Sequence, residues 1–121
     1  MAVSAGIDEA KQAELLAAER AGTLQRLSGL ERDLAGIIES SRSASTDDEH
    51  DPEGATSAFE RQHLAALISQ ARGHLAQIDA AIARLAAGSY GRCESCGQPI
   101  GAARLAARPT TTVCIDCASA R

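Results

Sequence analysis

The chain has 121 residues and a formal net charge of −4; 45% of it counts as hydrophobic, but it holds one Phe, one Tyr and no Trp. That length suits a single domain, and the scarcity of aromatics argues against a broad, deep core. No apolar run is long enough to span a membrane, and Met1–Ala10 lacks the basic start and apolar stretch of a secretion signal, so a cytoplasmic location is expected.

Residues 8 to about 42 are predicted to form one helix. Leu27, Leu30, Leu34 and Ile37 recur at steps of 3, 4 and 3, and Leu16 and Leu24 fall near the same stripe. Glu and Arg fill the other positions, as an exposed face requires. Gly22, Gly29 and Gly36 recur every seven residues, off the seam. They read either as tolerated glycines on a solvated face or as a stripe approached closely by a partner.

The segment Ser40–Gly54 is rich in Ser, Asp and Glu and reverses the chain. Asp47, Asp48, Glu49, Asp51 and Glu53 place five acids within seven residues. Pro52 suits the first turn of a following helix, with Asp51 as its N-cap. On composition alone this is a solvated turn with capping acids. The next helix carries Leu64, Ile68, Ala71, Leu75, Ile78, Ile82 and Leu85, a heptad seam that stops at Gly88-Ser89. Two helices of similar length around one reversal make an antiparallel hairpin over residues 1–89. Phe59 falls off the seam, either packed under the turn or presented to a partner. His50, His63 and His74 read as solvated or rim residues.

Residues 90–121 form a second module. Cys93-Glu-Ser-Cys96-Gly97 is followed after seventeen residues by Cys114-Ile-Asp-Cys117. Two CxxC pairs at this separation are a strong zinc signal. A two-residue gap lets both sulfurs of a pair turn toward one point, and two such turns supply a tetrahedral S₄ site. With four protein ligands no position stays open, so the site is structural and holds one Zn²⁺. A redox pair, a disulfide and an iron–sulfur site are the alternatives; the first usually sits in a βαβ context, which is missing here. Ile100–Arg108 reads as a short helix stopped by Pro109. Ile100, Leu105 and Val113 are expected to pack around the site, with Tyr90 covering its entrance.

The charge is uneven. Residues 1–83 hold 7 Lys/Arg against 14 Asp/Glu, a balance of −7, and residues 84–121 hold 5 Arg against 2 acids, a balance of +3. Nucleic-acid affinity rests on neutralising phosphates. The acidic balance makes a basic protein surface the better partner.

The stretch Tyr90-Gly91-x-Cys93-x-x-Cys96-Gly97-x-x-Ile100-x-x-x-Arg104-Leu105-x-Ala107-x-Pro109-x-x-x-x-Cys114-x-x-Cys117 closely resembles the DksA/TraR family of bacterial zinc-finger transcription factors. The architecture, a helical hairpin leading into the finger, is similar as well. The resemblance implies a protein that binds RNA polymerase directly, with its hairpin in the secondary channel, its acidic tip near the catalytic centre and, in some members, the alarmone ppGpp joining at the polymerase interface. Asp48-Glu-His-Asp51 aligns with the two aspartates of the family's Asp-x-x-Asp-x-Ala tip motif, making Asp48 and Asp51 the expected partner-binding pair, while Glu53 stands at the Ala position. The chain stops four residues after Cys117, as in the short TraR-like members.

The expected function is therefore regulation of transcription initiation by a monomer that binds polymerase, without sequence-specific DNA binding. The alternatives are a zinc-finger module binding nucleic acid through Arg92, Arg104 and Arg108, and a coiled coil joining chains through the heptad seam. No nucleophile–base pair or phosphate loop appears, so an enzyme is not expected.

Overall fold

The computed structural model describes residues 7–43 and 52–120, with side chains described for 7–42 and 56–120. Four helices follow in order: α1 (Glu9–Ser43), α2 (Pro52–Ala87), α3 (Ala102–Ala107) and α4 (Ile115–Ser119). The expected tip residues Asp47, Asp48, Glu49 and Asp51 lie outside the described residues, as do His50 and the side chain of Glu53.

The ends of the long helices follow from local chemistry. Asp8 caps α1: its carboxylate accepts from the Lys11 amide at 3.1 Å, and its carbonyl accepts from the Gln12 amide at 3.0 Å. α2 ends in a Schellman turn. Gly88 takes a φ of 83°, its amide donates to Leu85 O at 3.3 Å, and the Ser89 amide donates to Arg84 O at 2.9 Å. A side chain at Gly88 would be strained by this φ although the space around it is open.

The described residues fall into two compact units, one drawn from Met1–Ala21 and Leu75–Arg121, the other from Gly22–His74. α1 runs from the first unit into the second and α2 runs back, so the pair is antiparallel.

In the unit of Gly22–His74 only Thr23, Ile68 and Ala71 are buried among the described residues; Leu27, Leu30, Leu34, Ile37 and Leu64 are half-buried. Two helices alone shield a seam from only part of its surroundings, which is why this seam stays partly wet. Glu31 and Arg72 form an exposed ion pair at 2.8 Å, of the kind that contributes about 0–1 kcal/mol. The glycine stripe meets little here. A Cβ at Gly22 or Gly36 would find nothing within 4 Å, and at Gly29 only the end of Arg32 at 3.9 Å. Among the described residues no other helix reaches these positions within 4 Å, in keeping with glycines tolerated on an open face.

The other unit holds the real core. Leu16 of α1, Ile78 and Ala81 of α2, and Tyr90, Cys93, Ile100, Leu105 and Cys114 of the C-terminal segment form one buried cluster, with Ile7, Ile82, Leu85, Val113 and Cys117 packed against it. Leu16, Ile78 and Leu105 are each 0% exposed, and burying a side chain of this size contributes about 1.5–3 kcal/mol. Arg20 and Asp79 add an exposed ion pair at 2.7 Å.

Two expectations are corrected and one alternative is decided. Leu24 is not on the seam; it is 38% exposed, and Thr23 is buried instead. The register set by Leu27 runs back through Thr23, Leu16 and Gln12, so a polar pair takes seam positions. Of the two readings of Phe59, its 72% exposure favours the one in which the ring is presented outward. The short helix starts at Ala102, because Gly101 has a φ of 103° that no helix accommodates, leaving Ile100 buried but outside the helix.

Candidate zinc centre

The segment between α2 and α3 folds as a tight loop around Cys93 and Cys96. The Cys93 amide donates to Gln98 O at 2.9 Å, the Ile100 amide to Gly91 O at 2.8 Å, and Arg92 pairs with Pro99 as a short antiparallel bridge. Gly97, at a φ of 75°, closes the turn, and its amide donates to Cys93 O at 2.9 Å. Arg92 Nη1 clasps the same turn by donating to Gly97 O at 2.9 Å.

The second pair is presented differently. Cys114 is the N-cap of α4 and Cys117 lies in that helix, with the Ala118 amide donating to Cys114 O at 2.9 Å. One helical turn brings the two sulfurs to the same side. Sequence reasoning missed α4, since five residues carry no periodicity to read.

The two halves are tied together by backbone. The Glu94 amide donates to Thr112 O at 2.9 Å, and the Cys114 amide donates to the Cys93 sulfur at 3.4 Å. The four sulfurs all lie within 4.8 Å of one another. Tetrahedral bonds of about 2.3 Å place sulfurs about 3.8 Å apart. The Cys96 and Cys114 sulfurs are 3.8 Å apart, close to that spacing and far beyond a disulfide bond of about 2.05 Å. All four cysteines are free thiols. The donor set therefore fits one tetrahedral ion with a preference for soft ligands, and leaves no open coordination position.

The thiols do not titrate alike before a metal binds. The Cys114 amide, donating to the Cys93 sulfur, is the main reason that thiol is drawn down to about 6. Cys117 is pushed up to about 12, first by the thiol of Cys114 and then by those of Cys93 and Cys96. The environment thus readies one thiolate and resists the accumulation of four. A divalent cation reverses that resistance by compensating the charge.

Tyr90 is not a cover over the site. It is 2% exposed, accepts from Gln12 Nε2 at 2.8 Å and donates to Pro109 O at 2.8 Å. Burial pushes its phenol up, which keeps the donor proton in place at neutral pH. Gln12 Nε2 also donates to Leu105 O at 3.1 Å, so the start of α1 is bonded to both sides of the finger. Ile100, Leu105 and Val113 pack in this core as expected.

Of the three arginines weighed for nucleic acid, two are turned to the loops. Arg92 serves Gly97 O, and Arg104 donates from Nε to Val113 O at 2.9 Å and from Nη2 to Thr111 Oγ1 at 3.4 Å. A cleft of about 730 Å³ belongs to the unit of Gly22–His74; it is lined by Arg32, Asp33, Ile37, Glu60 and His63 among others. Among the described residues, the four cysteines are the one group of three or more metal-capable side chains close enough to share an ion.

Residues 88–121 match the prokaryotic dksA/traR C4-type zinc finger. The RNA polymerase-binding transcription factor DksA of Caulobacter vibrioides is 52% identical over 42 residues, 35% of this chain and 30% of that relative. Its namesake in Escherichia coli strain K12 is 64% identical over 28 residues, 23% of this chain and 18% of the relative. The matched stretches thus span less than a third of those curated relatives. The structure of transcription factor DksA2 from Pseudomonas aeruginosa superposes with a TM-score of 0.79 at 34% identity, covering 96% of this chain and 86% of that one. The chain belongs to the DksA/TraR family. Its DksA/TraR finger is a C4 site for one structural Zn²⁺, which when bound supplies the crosslink that ties the first knuckle to the second.

Proposed function

We propose that this DksA/TraR protein binds bacterial RNA polymerase directly, lays its helical hairpin in the secondary channel and modulates transcription initiation. Cys93, Cys96, Cys114 and Cys117 are the zinc ligands in this reading, and Asp48 and Asp51 are the tip residues that act on polymerase. The observation that carries it is the likeness to transcription factor DksA2 over 96% of the chain, together with the name of the curated relatives, RNA polymerase-binding transcription factor. The charge supports it too: the −7 of residues 1–83 favours a basic protein surface over a phosphate backbone. The bonds of Arg92 and Arg104 to carbonyls of their own loops weigh against the nucleic-acid alternative, because part of their donor capacity is already engaged.

The protein acts as a monomer in the cytoplasm, without catalysis of its own and without sequence-specific DNA binding. Any ppGpp would join at the interface with polymerase. No helix among the described residues is long and apolar enough to cross a membrane.

The test is capture of purified polymerase by the zinc-loaded chain, beside a variant with the acids of 47–53 replaced by Ser. The expected result is stoichiometric capture by the parent chain. Retention on DNA without polymerase, and none on polymerase, would overturn the reading.

A further inference from the structure

We propose that Arg104 is a positioning residue of the zinc site, acting through the segment Thr111–Cys114; this rests on the zinc reading of the four cysteines. The segment that leads into the second cysteine pair, Thr111–Val113, lies in neither helix nor strand. No ladder holds it, so its polar groups need partners from elsewhere. Arg104, half-buried on α3, supplies them. Its Nε donates to Val113 O at 2.9 Å and its Nη2 reaches Thr111 Oγ1 at 3.4 Å. The Thr111 hydroxyl in turn donates to Val113 O at 3.1 Å, closing a small ring of bonds around the guanidinium.

What this ring fixes is the meeting of the two knuckles. Thr112, between the two clamped residues, presents the carbonyl that takes the Glu94 amide at 2.9 Å, and Glu94 lies between the cysteines of the first pair. Cys114, the next residue after the clamp, directs its amide at the Cys93 sulfur at 3.4 Å. A displacement of Val113 would therefore move a sulfur of the second pair and remove two bonds to the first. The task demands a guanidinium. Its planar fork serves two acceptors at fixed separation, which a lysine ammonium on a flexible stem does not. Bonds from a charged donor are also roughly twice as strong as neutral ones. Outer partners of this kind typically change metal affinity by about 10- to 100-fold.

The test uses the full chain, first confirmed to bind one zinc. Zinc affinity is measured by competition with a chromophoric chelator, and the visible absorption of the cobalt-substituted protein reports the geometry of the four sulfurs. Arg104→Gln and Arg104→Lys are both expected to weaken zinc by about 10- to 100-fold and to shift the cobalt bands. Thr111→Val is expected to weaken it less, and Thr111→Ser, which keeps the hydroxyl, to match the parent. Recovery of parent affinity by Arg104→Lys would overturn the fork argument, since charge alone would then suffice. Arg104→Gln with parent affinity and an unshifted cobalt spectrum would overturn the proposal outright. Should Arg104→Gln lose its helical circular dichroism, the Thr111 pair decides: equal affinity in Thr111→Val and Thr111→Ser would overturn it. A parent chain that binds no zinc would overturn the zinc reading itself, a failure distinguishable from the others.

Discussion

Gln12 and Tyr90, 78 residues apart, meet in the core, where Gln12 Nε2 donates to the Tyr90 hydroxyl at 2.8 Å. The hydroxyl in turn donates to Pro109 O, and the side-chain amide of Gln12 also donates to Leu105 O. A polar chain thus runs from α1 through the finger. Leaving a buried partner unsatisfied costs about 1–3 kcal/mol. Tyr90→Phe, which strips the partner from Pro109 O and one acceptor from Gln12, is expected to lose about that much. Gln12→Leu is expected to do the same, and a double-mutant cycle by urea unfolding of the zinc-loaded protein should show the two coupled. Strict additivity would refute the chain.

Ile78→Ala and Phe59→Ala should part widely. Ile78 is fully buried against Leu16 and the finger, and removing such a side chain costs about 2–5 kcal/mol. Phe59 is exposed, so its loss should stay within about 0.5 kcal/mol. Thermal unfolding of the two variants checks the contrast.

Zinc affinity should rise with pH. Metal ligands bind as thiolates, so every thiol still protonated must release a proton on binding. Between pH 7 and pH 8 the Cys93 sulfur, drawn down to about 6, enters already ionised, while Cys117, pushed up to about 12, always releases one. Below about pH 6 Cys93 is protonated too, and the slope of log Kd against pH should steepen by about one proton. The same depressed value stabilises the metal-free fold above the ordinary thiol range, a contribution lost as pH falls through about 6. Chelator competition from pH 5.5 to 8 reads this directly; an unchanging slope would contradict it.

Chelation should loosen the finger and the core around it. Cys93 and Cys114 sit in the same buried cluster as Leu16 and Ile78, so the metal and the helix ends are stabilised together. A metal that binds only the native state raises its stability by mass action. Treatment with a strong chelator is expected to lower the unfolding midpoint, and Cys114→Ser to mimic it. An unchanged midpoint in both would separate the metal from the fold.

Asp48→Asn and Asp51→Asn should reduce the effect on transcription initiation in vitro while leaving thermal stability as it is. Transcription unaltered by both variants would remove the tip from the mechanism.

The four-cysteine set and the helical pair were legible in the sequence alone. CxxC spacing reports geometry within a few residues of chain, and a heptad seam reports one face of a helix, so both are local properties. It also contained the burial of Thr23 and Gln12, since the register of Leu27 and Leu16 runs through them, but polar residues at seam positions are easily passed over. Only the tertiary structure decided where those polar groups find partners. Tyr90 became a core residue instead of a lid because α2 carries the chain back to the start of α1, where Gln12 donates to its hydroxyl. Arg104 and Arg92 became clamps on loops instead of a basic surface because carbonyls without a ladder lay within reach. Phe59 stayed in solvent because a two-helix unit has no third layer to cover it. The Gln12–Tyr90 bond joins residues 78 apart, and the arginine clamps depend on how irregular loops close, so burial and hydrogen bonding of these kinds exist only once the chain has folded.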